Sequence, residues 1–126
     1  MPVKVVDASA LAALLFGEPE GEFVAGRLSD ASLAAPALLS FELANVCLIK
    51  SRRHPERQAA LAAAFLLRDR LAVDEMAVDH DGVLALAAST GLTAYDASYL
   101  WLARRLSADL VTLDRQLAQA YESLRE

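Results

Sequence analysis

The chain is predicted to adopt an α/β fold in which a mostly parallel sheet is covered by helices on both faces. Three observations predict it. Short β-branched or apolar runs alternate with helical segments along the whole length, the pattern that builds parallel strands through helical crossovers. The runs "VKVV" and "DLVTL" carry too few polar positions for strands with one wet face. Acids stand directly after both of these runs, as Asp7 and Asp114, where sheets of this kind place their working residues.

Taken in order, Val3 to Val6 is the first strand, and "DASALAALLFGE" continues as a helix that Gly17 and Pro19 bring to an end. "EGEFVAGRLSD" reads as a second helix and "ASLAAP" as a short buried strand. "PALLSFELANVCLIKSRR" is a long helix expected to start near Pro36 or Ala37, since proline suits a first helical position. Pro55 punctuates the next boundary. "PERQAALAAAFLLRDRL" is helical in its alanine and leucine content and in its apolar spacing. "AVDEMAVD" fits either a strand or a connection. "HDGVLALAASTG" is a helix closed by Gly91; "TAYDASYLWLARRLS" is another; "DLVTL" is a strand, and "DRQLAQAYESLRE" is the terminal helix. Residues 1–126 are expected to form one domain, long enough to bury a core without disulfides or structural metal.

Composition narrows the function. Hydrophobic residues make up 56% of the chain, yet the uninterrupted apolar runs are short. They fall far below the roughly 20 residues that cross a bilayer. No export signal is visible at "MPVKVVDAS", and the single cysteine, Cys47, has no partner for an intrachain disulfide. A cytoplasmic, membrane-free protein is expected. Cys47 lies in an apolar run with no histidine in a recognisable pattern beside it, so it reads as a small hydrophobe rather than a nucleophile. A net charge of −5 argues against gripping nucleic acid by overall charge, so any such contact has to be local.

The acids carry the chemistry. Asp7 and Asp114 each have an ordinary explanation as helix N-caps, and Thr93 to Asp96 has the form of a capping box. Glu42 has none: its neighbours at helical spacing include Leu38, Leu39 and Val46, which puts a carboxylate on or beside a buried face. Such a group needs a cation, a hydrogen-bond donor or a raised pKa. If Glu42 faces the strand ends, it meets Asp7, Asp96 and Asp114 there, and four carboxylates so close call for a divalent ion. An all-oxygen set favours Mg²⁺ or Mn²⁺ over zinc. His54 and His80 have no metal-ligand spacing and read as surface or turn residues.

"VVDASAL", "LLSFELANV", "LTAYDASYLWLA" and "LVTLD" together resemble, in the same order, the motifs of PIN-domain ribonucleases, and within that family the VapC-type toxins of bacterial toxin–antitoxin pairs. The resemblance runs from Val3 to about Leu117. It implies a PIN-like three-layer α/β/α sandwich and a Mg²⁺-dependent endoribonuclease that leaves 5′-phosphate and 3′-hydroxyl ends. It also implies a small VapB-like antitoxin that covers the acidic groove, and a homodimer formed through helices. Carried over by motif, the acidic quartet falls on Asp7, Glu42, Asp96 and Asp114, with Asp7 and Asp96 holding the metal and Glu42 and Asp114 as further ligands or bases. Ser9, Asn45 and Thr112 fall where the family uses small polar groups to orient the acids or the metal shell. Trp101 departs from the pattern, standing where a smaller apolar residue is common, and reads as core or interface.

For the RNA backbone, "KSRRHPER" offers Lys50, Arg52, Arg53 and Arg57, with Arg104, Arg105 and Arg115 as further candidates. The alternative for "KSRR" is a solvated helix end complementing the C-terminal dipole. Two other classes compete. An aspartyl-nucleophile phosphotransferase places Asp-x-Asp after its first strand, where this chain has "DAS"; a receiver-like module needs adjacent acids and a mid-chain phosphoacceptor, neither of which is found. A housekeeping nuclease or a non-catalytic PIN-like RNA- or metal-binding module is the remaining alternative, although a non-catalytic one would be expected to lose part of the quartet.

Overall fold

The computed structural model describes residues 1–125. Its elements are β1 (Val3–Val6), α1 (Ala8–Leu15), α2 (Gly21–Leu28), β2 (Ser32–Pro36), α3 (Leu39–Arg53) and α4 (Gln58–Leu66), followed by β3 (Asp74–Met76), α5 (His80–Thr90), α6 (Ala94–Arg105), β4 (Asp109–Val111) and α7 (Arg115–Leu124). Short 3-10 turns at Pro55–Arg57 and Arg68–Leu71 flank α4. The long helix expected from Pro55 to Leu71 is therefore a helix between two tighter turns.

The four strands pair in the order β3-β2-β1-β4, and every pairing is parallel. From β1 the chain steps outward to β2 and then β3, and it returns to lay β4 on the other side of β1. Parallel crossovers are right-handed, so reversing direction moves the connecting helices from one face of the sheet to the other. The packing follows this rule. Helix α1 packs on α2 and α3, and α3 on α4, whereas α6 packs on α5, α7 and the β1–β2 face. The result is the three-layer α/β/α arrangement.

Pro36 and β3 depart from the sequence expectation. Pro36 ends β2 opposite Met76 instead of opening α3, and the ladder resumes at once through Ala37 N–H to the Met76 carbonyl, 2.9 Å. A proline is tolerated where the strand stops needing its donor. The ambiguous "AVDEMAVD" segment contains β3, an edge strand whose Asp74 and Glu75 are exposed. Charged edge strands resist pairing with other chains.

The core lies between the sheet and α1, α3 and α6, and the last of these buries Ala97, Ser98, Tyr99, Leu100, Leu102 and Ala103. Close packing of α5 on α6 depends on Gly82, where a Cβ would stand 2.7 Å from the Trp101 indole nitrogen. Trp101 is accordingly half-buried against the core. Gly91 closes α5 at φ 78°, a left-handed cap that a side chain would strain. Among the described residues, no helix is long and apolar enough to cross a membrane.

Candidate acidic site at the carboxyl end of the sheet

The reversal of strand order puts a crevice between β1 and β4, just beyond their carboxyl ends, where open α/β sheets bind ligands. Asp7 follows β1 directly and Asp114 lies three residues past β4. Glu42 enters from the first turn of α3 and Asp96 from the first turn of α6. Four separate elements thus converge on one rim.

Asp7 is the fixed point. It is 4% exposed and caps α1, its Oδ1 accepting from Ala10 N–H at 3.0 Å and from the Ser9 hydroxyl at 2.7 Å. Its Oδ2 accepts from the Thr112 hydroxyl at 2.5 Å, across the crevice. Thr112 in turn accepts from Asp114 N–H at 3.0 Å, and Ser9 from Leu113 N–H at 3.0 Å, so the two hydroxyls tie the β1 end to the β4 end. Burial nevertheless holds the Asp7 carboxyl above the usual carboxylate range: desolvation outweighs the three donors, and the charge of Asp114 adds to it.

Asp114 caps α7, its Oδ1 accepting from Leu117 N–H at 3.0 Å. Asp96 is different. Its own N–H donates to the Thr93 hydroxyl at 3.1 Å, half of a capping box, but its carboxylate does not reach back, and among the described residues it accepts no hydrogen bond. Burial, then the Asp114 charge, raises its pKa.

The partner of Glu42 is not anticipated by the sequence. The buried Tyr99, 1% exposed, donates its hydroxyl to Glu42 Oε1 at 2.6 Å. Tyr99 stands three residues after Asp96, so α6 presents a carboxylate and a phenol one turn apart; that spacing is the only signal of it in the sequence. The bond favours ionised Glu42, yet burial dominates and the charges of Asp96 and Asp7 reinforce it, so the Glu42 pKa is raised. Burial and the Glu42 bond also push the Tyr99 phenol upward, keeping it a donor. The Tyr99→Phe variant removes a hydrogen bond to a charged acceptor, worth about 1.5–3 kcal/mol. In a carboxyl-resolved ¹³C NMR titration its Glu42 is expected to lose its proton at higher pH than in wild type. An unchanged Glu42 titration would show the contact to be unimportant.

The electrostatic picture is uniform. Asp7 feels Asp114, Glu42 feels Asp96 and Asp7, and Asp96 feels Asp114, while among the described residues no lysine or arginine offsets the charge of Asp7, Glu42 or Asp96. Like charges without an internal counter-ion spread apart. Asp7, Asp114 and Glu42 each turn to their own donors while Asp96 accepts none, and among the described residues no three of them stand close enough to hold an ion together. The donor set, oxygen alone and partly desolvated, suits a hard divalent ion in type.

The other sequence candidates divide. Ser9 and Thr112 are hydrogen-bonded to Asp7. Asn45 is exposed and makes no side-chain hydrogen bond among the described residues. Lys50 is ion-paired with Glu18, beside a groove that reaches Ser9 and Leu113. Arg52 and Arg53 are exposed in the last turn of α3, and Arg52 stands ten residues beyond Glu42, about 15 Å along the helix. They complement the helix dipole and stand away from the acids. Arg104 reaches the Leu124 carbonyl at 3.2 Å, near the far end of α6 from Asp96. Arg115 is exposed at the start of α7, next to Asp114 in sequence. His54 makes a surface pair with Glu56, His80 is exposed at the start of α5, and Cys47 is a free, half-buried thiol packed on the core.

Comparison with known proteins places this geometry in context. Residues 4–123 match the family model of the PIN domain. The chain is 36% identical over 125 residues to Ribonuclease VapC3 of Pyrobaculum aerophilum, covering 95% of each protein. It also superposes on the crystal structure of PAE2754 from Pyrobaculum aerophilum with a TM-score of 0.73 and 27% identity, over 98% of this chain and 92% of that one.

Proposed function

The chain belongs to the PIN-domain family, in its VapC-type branch, and from that premise we propose that it is a metal-dependent endoribonuclease acting as the toxin of a toxin–antitoxin pair. One observation carries the reading: four elements deliver carboxylates to the β1–β4 crevice, and among the described residues no basic side chain offsets the charge of Asp7, Glu42 or Asp96. Desolvating like charges together is costly unless a cation is part of the design.

Asp7, Asp96, Asp114 and Glu42 would hold Mg²⁺, or Mn²⁺ in its place. Bound there, the ion supplies Lewis-acid polarisation of a phosphate oxygen and a lowered pKa for water. The chain's own residues do the rest. Ser9, Thr112 and Ala10 N–H fix the Asp7 carboxylate so that it cannot swing away from the crevice. Tyr99 holds Glu42 by one oxygen and leaves Oε2 without a bond among the described residues, free to accept a proton. Asp96, without a hydrogen bond of its own, is the most adjustable acid of the set.

The same geometry disfavours an aspartyl-phosphate mechanism. Both oxygens of Asp7 are occupied by donors and the residue is buried, which makes it a poor nucleophile. A small VapB-like antitoxin is the expected protein partner. Exposed Leu48 and Ile49 on α3 and Leu84 on α5 leave apolar surface that a second copy would cover in a homodimer.

Inducing the chain in a bacterial host is expected to arrest growth and to leave new RNA 5′-phosphate ends. Co-expression of the antitoxin should relieve both. Abundant folded protein that leaves growth and cellular RNA unchanged would remove the toxin assignment.

A further inference from the structure

Beside the acids, a groove of about 520 Å³ opens between the start of α3 and the start of α6. Leu38 and Val46 line it, Glu42 forms part of its wall, and Phe41, Tyr95 and Asn45 complete it. Its surface is mostly apolar, yet it does not belong to the core. Phe41 is 81% exposed and Tyr95 65%, two aromatic rings held in water next to charged groups. Nothing in the fold requires them there, since neither packs against the buried cluster.

We propose that this groove is a nucleobase subsite, which takes one unpaired base of the RNA next to the phosphate held at the acids. The proposal rests on the nuclease reading and deepens it. Three features favour a base over other occupants. The groove is continuous with the site through Glu42, so the base of a nucleotide whose phosphate lies at the acids is within reach of it. It offers aromatic faces, on which any base stacks. It also carries a free amide: Asn45 is exposed and bonded to no acid, leaving both its donor and acceptor ends available to a base edge. With no lysine or arginine lining the groove, a backbone phosphate is a poor fit there, and the phosphate is left to the acids.

A base that enters this groove has to leave its own helix stack. Cleavage should therefore be restricted to single strands, loops and bulges, and Asn45 would bias which base is accepted.

The test uses the full chain with Mn²⁺ and a fluorescent single-stranded oligoribonucleotide whose cut site has been mapped. Each nucleotide flanking the cut is then replaced in turn by an abasic one. In wild type, one flanking position is expected to lose roughly ten- to hundredfold in kcat/KM when abasic, the range for a single stacked base. Phe41→Ala and Tyr95→Ala should lower kcat/KM on the intact RNA and abolish the sensitivity to that abasic position. Asn45→Ala should leave the sensitivity but flatten the preference among the four bases. Circular dichroism melts establish that the variants are folded, and Phe41→Leu and Tyr95→Leu, which also lack the ring, serve as milder replacements if an alanine variant is not.

Cleavage by wild type that is indifferent to every abasic position overturns the base subsite and leaves the nuclease reading standing. Equal abasic sensitivity in wild type and in the aromatic variants does the same. If those variants cut RNA normally but lose affinity for the antitoxin, the groove is a protein-docking surface and the proposal is wrong. RNA left whole by the wild type removes the nuclease reading and this inference together.

Discussion

Asp96→Asn is expected to reduce RNA cleavage by at least a thousandfold while leaving the melting temperature within a few degrees of wild type. The asymmetry follows from the local structure. The Asp96 carboxylate accepts no hydrogen bond among the described residues, and the cap of α6 is made by the Asp96 N–H, which the amide variant keeps. The substitution therefore removes a negative charge and little else, and charge at the reacting phosphate is where catalysis by such a site resides. Asp7→Asn should be equally inactive but more stable than wild type in the absence of metal. Its burial raises the cost of the charge, and an amide can still accept from Ala10 and Ser9, with the Thr112 hydroxyl able to turn and accept. Thermal melts beside a single-turnover assay check both outcomes. Full activity in Asp96→Asn, or an Asp7→Asn chain that unfolds, would contradict the assignment of roles.

Chelating divalent metal is expected to stop cleavage and to lower the melting temperature at neutral pH, with the stability effect fading in mild acid. The sign follows from proton linkage. Burial raises the pKa of Asp7, Glu42 and Asp96 in the fold above their ordinary values of 3.8, 4.5 and 3.8. The metal-free fold then binds more protons than the unfolded chain between the ordinary and the raised pKa, so its stability falls as pH rises through that window. Below the ordinary values the penalty vanishes, because both states are protonated. A bound ion offsets the penalty at neutral pH by up to about 2.7 kcal/mol when present at 100 times its Kd. Protons compete with it, so near the ordinary carboxyl values the gain should disappear. Scanning calorimetry with Mn²⁺ or chelator across pH reads this directly. A metal-free protein that is most stable at neutral pH would show that the acids carry no desolvation cost.

Much of this site is legible in the sequence because its parts are local. An acid directly after an apolar strand, or in a helix start, can be read from a few residues; Asp7 and Asp114 are both of this kind, and both are caps at the crevice. Glu42 stands out as a carboxylate among apolar neighbours, although α3 starts later than expected and places it in the first turn, where the helix dipole also favours it. Its partner is not legible. Tyr99 lies 57 residues away, and pairing across that distance is set by how α6 crosses the sheet, which no local pattern encodes. The same limit applies to the basic residues, whose distance from the acids no local pattern gives. Lys50, Arg52 and Arg53 are close to Glu42 in sequence, but the helix carries Arg52 and Arg53 away along its axis and Glu18 engages Lys50. The strand boundaries follow a similar rule: "VKVV" is strand from end to end, whereas Pro36 reads as a helix opener until Met76 is found opposite it.

The hydroxyl clamp between Thr112 and Asp7 spans 105 positions of sequence and depends on β4 lying beside β1. Strand β1 sits in the middle of the sheet, yet its neighbour on one side is the strand furthest from it in sequence among the described residues. Until residues 109–114 have joined, the fold lacks both Thr112 and Asp114, and the crevice has only one wall. The topology thus makes the crevice a product of long-range closure: both of its walls exist only when the two ends of the described fold lie side by side.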